Sequence, residues 1–231
     1  MHRACKGFTL LELLIAVAII AVLAALATGL YQRAKSQRVQ LESAARMRQW
    51  GAALGCYIAD NDGALPRRGQ GVQEVTQLDR PEDWFNALPP YVGEKSYSDL
   101  LKTGHRPREG DRSMFVRPEA KDPGKRAFLS YGMNMNLSPW NLTQPTRLGS
   151  LQQPGSTVFL AEAPGPYAST YPSKADYSCV APHNGLGNIL FLDGHVAAYT
   201  AEYLGVGTGD PRREDVHWLT GTESDAQASN Y

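Results

Sequence analysis

Leu13 to Leu30 is a run of 18 residues without a charge, and no other feature of the chain limits its folding so severely. At a helical rise of about 1.5 Å per residue it covers roughly 27 Å, close to the hydrocarbon thickness of a bilayer. In lipid every backbone N–H and C=O must bond within its own segment, so a spanning run is helical. One acid, Glu12, stands at its edge, where an unpaired carboxylate costs about 3 kcal/mol and calls for a partner. Proline does not halt the helix early, because all 15 prolines lie at or beyond Pro66. The chain divides into a membrane-compatible front and a loop-rich globular back.

The 231 residues include 23 Lys+Arg against 23 Asp+Glu, a balance unlike that of a protein whose main task is gripping nucleic acid phosphates. No nucleic acid partner is expected. Three cysteines are too few for a disulfide scaffold, and no C-x-x-C pair marks a zinc module.

Residues alone leave the first 30 positions open. A removable signal peptide would use Arg3 and Lys6 as its basic region and Ala25-Leu26-Ala27 as its cleavage triplet. A plain signal anchor would keep the helix. Positive-inside counting does not set the orientation, since Arg3 and Lys6 are matched by Arg33, Lys35 and Arg38 beyond the span.

Lys6-Gly7-Phe8-Thr9-Leu10-Leu11-Glu12 supplies a third reading. It closely resembles the processing signal of type IV pilins and type II secretion pseudopilins: a short basic leader, a glycine, then a phenylalanine and a glutamate opening a long apolar helix. The resemblance implies that a prepilin peptidase cuts between Gly7 and Phe8 on the cytoplasmic side and methylates the new amine of Phe8. It also implies that Glu12 of one subunit meets the Phe8 amine of a neighbouring pilin or pseudopilin in a fibre. Desolvation of both charges offsets much of that attraction, so the pair sets axial register more than it stabilises.

Beyond the span, Arg33, Lys35, Arg38, Arg46 and Arg48 face only Glu42, which reads as a solvated helix face beside a membrane. Ala44, Met47, Trp50, Leu54 and Tyr57 then form one helical stripe for packing on a head domain, with Trp50 as a core anchor. Asp60-Asn61-Asp62-Gly63 followed by Pro66 predicts the helix end near Ile58 to Asp60. The cluster fails as a calcium loop, because Ile58 stands where an oxygen ligand is needed.

Residues 64–155 read as long ordered loops with apolar patches at Trp84-Phe85 and Met114-Phe115-Val116, and Ser130 to Asn134 as a short strand or turn. Ser156 to Ala161 has strand character. Asn188 to Leu192 and His195 to Tyr199 flank Asp193-Gly194, which predicts a two-residue type I′ hairpin. Pairing Leu192 with His195 places Ile189, Phe191, Val196 and Ala198 on one apolar face, expected to lie on the stem helix. The expected fold is α+β: a long N-terminal helix, half transmembrane and half amphipathic, on a small antiparallel-sheet head. The expected divisions are a leader at 1–7, a transmembrane half at 8–30 and an amphipathic half at 31–60. A head at 61–220, with its hairpin at 183–200, and a loose polar tail at 221–231 complete them.

His183, nine intervening residues and Asp193-Gly194 resemble the H-x9-DG carboxy-terminal domain found in many bacterial proteins that begin with a prepilin signal. Pro182-His183-Asn184-Gly185, Phe191 to Val196, Tyr57 to Pro66 and Tyr131 to Asn134 fit that pattern. Val116-Arg117-Pro118 departs from it where many relatives have Val-Cys-Pro, so a disulfide using that cysteine would be missing here.

His183, Asp193, His195 and His217 suggest a two-histidine, one-carboxylate metal site on paper, but turn chemistry explains Asp193 and a loop-tying hydrogen bond explains His183. No catalytic residue, metal or cofactor is assigned. With Cys5 in the leader, Cys56 and Cys179 are the candidates for one disulfide in an oxidising compartment. The expected protein is a single-pass subunit of the cytoplasmic membrane with a periplasmic head. Its expected partners are the prepilin peptidase, other pilin or pseudopilin subunits and inner-membrane lipid. The alternative is a membrane-tethered module that binds a carbohydrate or other extracellular ligand without polymerising, through Trp140, Tyr167 and Tyr171.

Overall fold

One helix, α1 (Leu10–Asp60), runs 51 residues without a break in the computed structural model, which describes residues 9–138 and 144–218. The leader, the cleavage residues Gly7 and Phe8, Trp140 and the tail at 221–231 lie outside the described residues. The chain divides into two units, Met1–Arg38 and Val39–Tyr231.

In the first unit, the large apolar side chains of α1 are exposed all round the helix, from Leu10 to Tyr31. An apolar helix with no buried face is built for lipid. Thr28 returns its hydroxyl hydrogen to the Ala25 carbonyl at 2.8 Å, so its polar group is satisfied within the run.

In the second unit, α1 turns amphipathic. Ala44, Met47, Trp50, Ala53 and Leu54 are buried, and Tyr57 packs at the margin, as the stripe predicts. The helix stops where Asp62 and Gly63 take φ of 51° and 79°, and the Gly63 N–H bonds the Ile58 carbonyl at 2.9 Å. That six-to-one bond and the left-handed glycine are the usual helix terminator. Asn61 Nδ2 caps the Tyr57 carbonyl at 2.8 Å.

Five strands form one sheet in the order β3-β1-β2-β4-β5: β1 (Tyr131–Asn134), β2 (Val158–Glu162), β3 (Ser169–Thr170), β4 (Leu186–Phe191) and β5 (Val196–Thr200). The fold is α+β as expected, but the sheet is mixed, because β3 pairs parallel with β1. Among the described residues there are also short helices α2 (Trp84–Ala87), α3 (Tyr97–Lys102) and α4 (Ala201–Leu204), and 3-10 turns at Pro89–Val92, Met135–Leu137 and Leu148–Ser150.

The loop region owes its order to aromatic packing. Trp50, Trp84, Phe85, Tyr97 and Phe115 close a cycle of edge-to-face contacts, with successive centroids 4.9 to 6.0 Å apart. Each such contact adds about 0.5–1.5 kcal/mol beyond burial of the rings. Their polar atoms are also used: Trp50 Nε1 donates to the Met114 carbonyl at 2.9 Å and Trp84 Nε1 to that of Ala168 at 2.8 Å. The Tyr97 hydroxyl accepts the Phe128 N–H at 2.8 Å.

The β4–β5 hairpin differs from the expected register by one residue. Leu190 pairs with Val196 and Ile189 with Ala197, while the Phe191 N–H bonds the His195 carbonyl. Leu192, Asp193 and Gly194 therefore make a three-residue loop, a type I turn closed by Gly194 at φ 90°. A one-residue slip exchanges the faces of a strand. The slip takes Val196 and Ala198 off the face of Ile189 and Phe191: those two pack away from α1 with Val216 and Trp218, contrary to expectation, while Leu190, Leu192 and Val196 join the core beneath α1. The two-residue hairpin occurs instead at Asn184-Gly185, both with positive φ, where His183 and Leu186 exchange both backbone hydrogen bonds. Gly51 is where α1 meets the first loop: a Cβ there would sit 3.0 Å from the Gly194 carbonyl oxygen and 3.0 Å from Leu190 Cδ1.

Candidate functional site

The helix start is built from Thr9 and Glu12. Thr9 N–H and Thr9 Oγ1 both donate to Glu12 Oε2 at 2.8 Å, and the Glu12 N–H returns to Thr9 Oγ1 at 3.2 Å. This reciprocal pair is a capping box, which satisfies two of the N–H groups that a helix start leaves unbonded. It also places an acid at the positive end of the helix dipole. Glu12 thus has a partner within its own chain. The T-x-x-E spacing ahead of an apolar run carries that signal, and a reading centred on the Phe8 amine passes over it.

A second constellation lies around Glu162, whose side chain is wholly buried. A bulge between Val158 and Leu160 turns the rest of β2 so that Leu160 joins the core under α1 and Glu162 meets Ser43 of that helix. Ser43 Oγ donates to Glu162 Oε1 at 2.5 Å, and His183 Nε2 reaches the same oxygen at 2.6 Å. The Asn188 N–H donates to Oε2 at 2.9 Å. Ser43 also shares a hydrogen bond with the Tyr131 hydroxyl at 3.1 Å, and Asn188 Nδ2 reaches the Gln40 carbonyl at 3.2 Å. One carboxylate thereby gathers α1, β1, β2, β4 and the loop before β4. Burial pushes the Tyr131 hydroxyl pKa up, and the Glu162 charge pushes it further. Burial lowers the Arg117 pKa, and Glu162 opposes that shift. Arg117, at the position that departs from Val-Cys-Pro, donates to the Ala163 carbonyl at 2.8 Å. It holds the end of β2 by charge and hydrogen bonding.

The sequence-derived site residues therefore separate. His183 is a buried partner of Glu162, whereas Asp193 and Gly194 form the hairpin tip, with Asp193 exposed and Gly194 half-buried. Asp193 Oδ1 accepts the His195 backbone N–H at 3.0 Å and lies 2.6 Å from His195 Nδ1, and the His195 ring stacks on Phe191 at 4.2 Å. His217 sits in a short bridge with Thr157. Among the described residues no group of three His, Cys, Asp or Glu could hold a metal. The disulfide expectation is corrected: Cys56 is an exposed free thiol on α1, and Cys179 is a free thiol buried in the cluster behind the sheet. Burial pushes the Cys179 thiol up to about 12, so it remains a neutral core residue. Tyr171 packs on Trp218 and donates to Asp210, and Tyr167 packs on Tyr177. These are core and rim contacts.

Ser43 and Glu162 carry this site and are absent from the sequence reading, which ends the strand at Ala161. The available signal is an acid directly continuing the apolar run Val158 to Ala161, where only a partnered charge is tolerated.

Residues 2–28 match the family described as the prokaryotic N-terminal methylation motif, which is typical of type IV pilins and pseudopilins. Neither a curated protein nor a solved structure matches the chain. Within the described residues α1 is the helix long and apolar enough to cross a membrane.

Proposed function

We propose that this chain is a pilin-like structural subunit that assembles through α1 into a type II secretion pseudopilus or a type IV pilus-like fibre. The observation that carries the reading is the joint occurrence of the methylation motif, the Thr9–Glu12 box and the uncharged run behind it. A prepilin peptidase cuts between Gly7 and Phe8 and methylates Phe8, leaving the helix attached as a single-pass anchor. The box holds the Glu12 carboxylate in place before any neighbour arrives, ready to meet the methylated amine of the next subunit. The globular unit lies outside the cytoplasm, and its H-x9-DG hairpin is architecture: His183 anchors Glu162, while Asp193 and Gly194 shape the turn on Gly51. The protein has no enzymatic role in this reading.

Intact-mass measurement on protein from cells with and without the peptidase tests it. Removal of Met1 to Gly7 takes away Arg3 and Lys6 and leaves 224 residues with 21 basic against 23 acidic side chains, formal charge −2. The expected terminus is Phe8 with one added methyl group, found only when the peptidase is present. A terminus at Thr28 would establish a removable signal peptide and end the pilin reading.

A further inference from the structure

We infer that Arg33, Lys35 and Arg38 form a collar that binds the anionic headgroups of phospholipids at the end of the span. The inference rests on the membrane-anchor reading above. Between Glu12 and Glu42 the chain contains no acid, so these three cations are the only charges over that stretch of α1. All three are exposed in the unit that contains them. Measured from Leu30 at about 1.5 Å per residue, they lie about 4.5, 7.5 and 12 Å beyond the uncharged run. A headgroup layer is roughly 5–8 Å deep on each side of the hydrocarbon, and long basic side chains bend back toward it. Tyr31, 71% exposed and next to Leu30, is the kind of amphipathic ring that settles at that boundary and fixes the depth of the helix.

The angular arrangement identifies the partner. At about 100° per residue, Lys35 and Arg38 fall roughly 200° and 140° around the helix from Arg33. Cations spread around a helix suit a ligand present on every side, which lipid is. A nucleic acid or an acidic protein needs them on one face. The placement also runs against the usual bias of basic residues to the cytoplasmic side. Once the leader carrying Arg3 and Lys6 is removed, the cations flanking the span all lie on the side from which the globular unit follows. Anionic headgroups offset that bias.

The test uses the full chain purified from membranes in mild detergent, with equimolar phosphatidylglycerol and phosphatidylcholine, and counts retained lipids by native mass spectrometry. The expected result is a phosphatidylglycerol preference on the order of tenfold, since each cation near an anionic surface contributes about a fivefold factor before screening. The preference should fall as salt is raised. It should approach unity in the triple variant Arg33→Gln, Lys35→Gln, Arg38→Gln, and stay unchanged in Arg48→Gln, an exposed site about 27 Å past Leu30. Equal retention of both lipids by the wild type, or an equal loss in Arg48→Gln, overturns the collar. So does a short DNA duplex whose gel shift vanishes in the triple variant without any lipid preference. Extraction of the wild-type chain from membranes by alkaline carbonate would refute the anchor reading itself, and the collar with it. Firm membrane retention without a headgroup preference refutes the collar alone.

Discussion

The His183 imidazole and the Glu162 carboxylate meet at 2.6 Å with both side chains cut off from solvent. The contact joins the turn before β4 to the end of β2, and Ser43 extends it to α1. Breaking a buried, multiply bonded charge from one side costs about 3–5 kcal/mol, because the remaining groups lose their partner without regaining water. Glu162→Ala is therefore expected to destabilise the chain by about that amount in denaturant melts of the detergent-solubilised protein. Glu162→Gln should cost less, since the amide keeps one acceptor. His183→Ala should cost about 1–3 kcal/mol. A chelator should leave all the melts unchanged, and a melt lowered by chelation in the wild type alone would make His183 a metal ligand.

Gly51 and Gly55 make opposite demands on the same helix. An alanine ordinarily gains about 0.8–1 kcal/mol over glycine inside a helix. At Gly55 nothing lies within 4 Å of the added methyl, so Gly55→Ala should raise stability by nearly that amount. At Gly51 the methyl meets a backbone oxygen of the hairpin loop at 3.0 Å. That contact outweighs the propensity gain, and Gly51→Ala should lose about 1 kcal/mol net. Gly194→Val should lose about 1–3 kcal/mol from its positive φ alone. Equal gains at Gly51 and Gly55 would show that the helix does not rest on the hairpin.

Stability should also depend on Asp83. Its carboxylate is fully buried, with Arg80 Nε 3.0 Å from Oδ2 and no hydrogen bond to Oδ1 among the described residues. Burial pushes its pKa from 3.8 up to about 6 against the pull of Arg80. A raised folded-state value means the folded chain holds the proton more tightly than the unfolded one. The resulting stabilisation is complete below about pH 4 and is lost as pH rises through about 6, on the order of 2–3 kcal/mol. Melts at half-unit steps from pH 4 to 7 should show this fall, and Asp83→Asn should flatten it. An unchanged slope in the variant would place the titration elsewhere.

Thr9 and Glu12 separate capping from assembly. Thr9→Ala removes the cap, worth about 1 kcal/mol to the helix start, but keeps the carboxylate. Glu12→Ala removes both. Crosslinking of subunits in native membranes is expected to persist in the first variant and to disappear in the second, with membrane insertion intact in each. Persistence of the crosslinks in Glu12→Ala would favour a tethered module that does not polymerise.

The parts of the fold that obey short-range rules are legible in the sequence. The uncharged run, the stripe from Ala44 to Tyr57 and the stop at Asp60 need only helical periodicity and turn chemistry, and each stands within a residue or two of its expected place. The hairpin shows the limit. Asp-Gly allows either a two-residue or a three-residue loop, and the choice made by the docking of Gly194 against Gly51 moves every side chain on the partner strand. Glu162 shows a second limit. Its partners at positions 43, 183 and 188 come from three separate segments, and no spacing along the chain announces their meeting.

The aromatic cycle has a kinetic consequence. Its members at positions 50, 84, 85, 97 and 115 sit on four separate segments, so its closure requires the stretches between 50 and 84, 85 and 97, and 97 and 115 to be drawn shut. Helix α1 needs no such closure and forms from local bonds in about a microsecond or less, whereas distant contacts assemble far more slowly. The anchor is thus complete well before the globular unit, and for that interval Trp50 waits uncovered on a finished helix. Whatever covers that ring before the loops close governs how much of the protein folds.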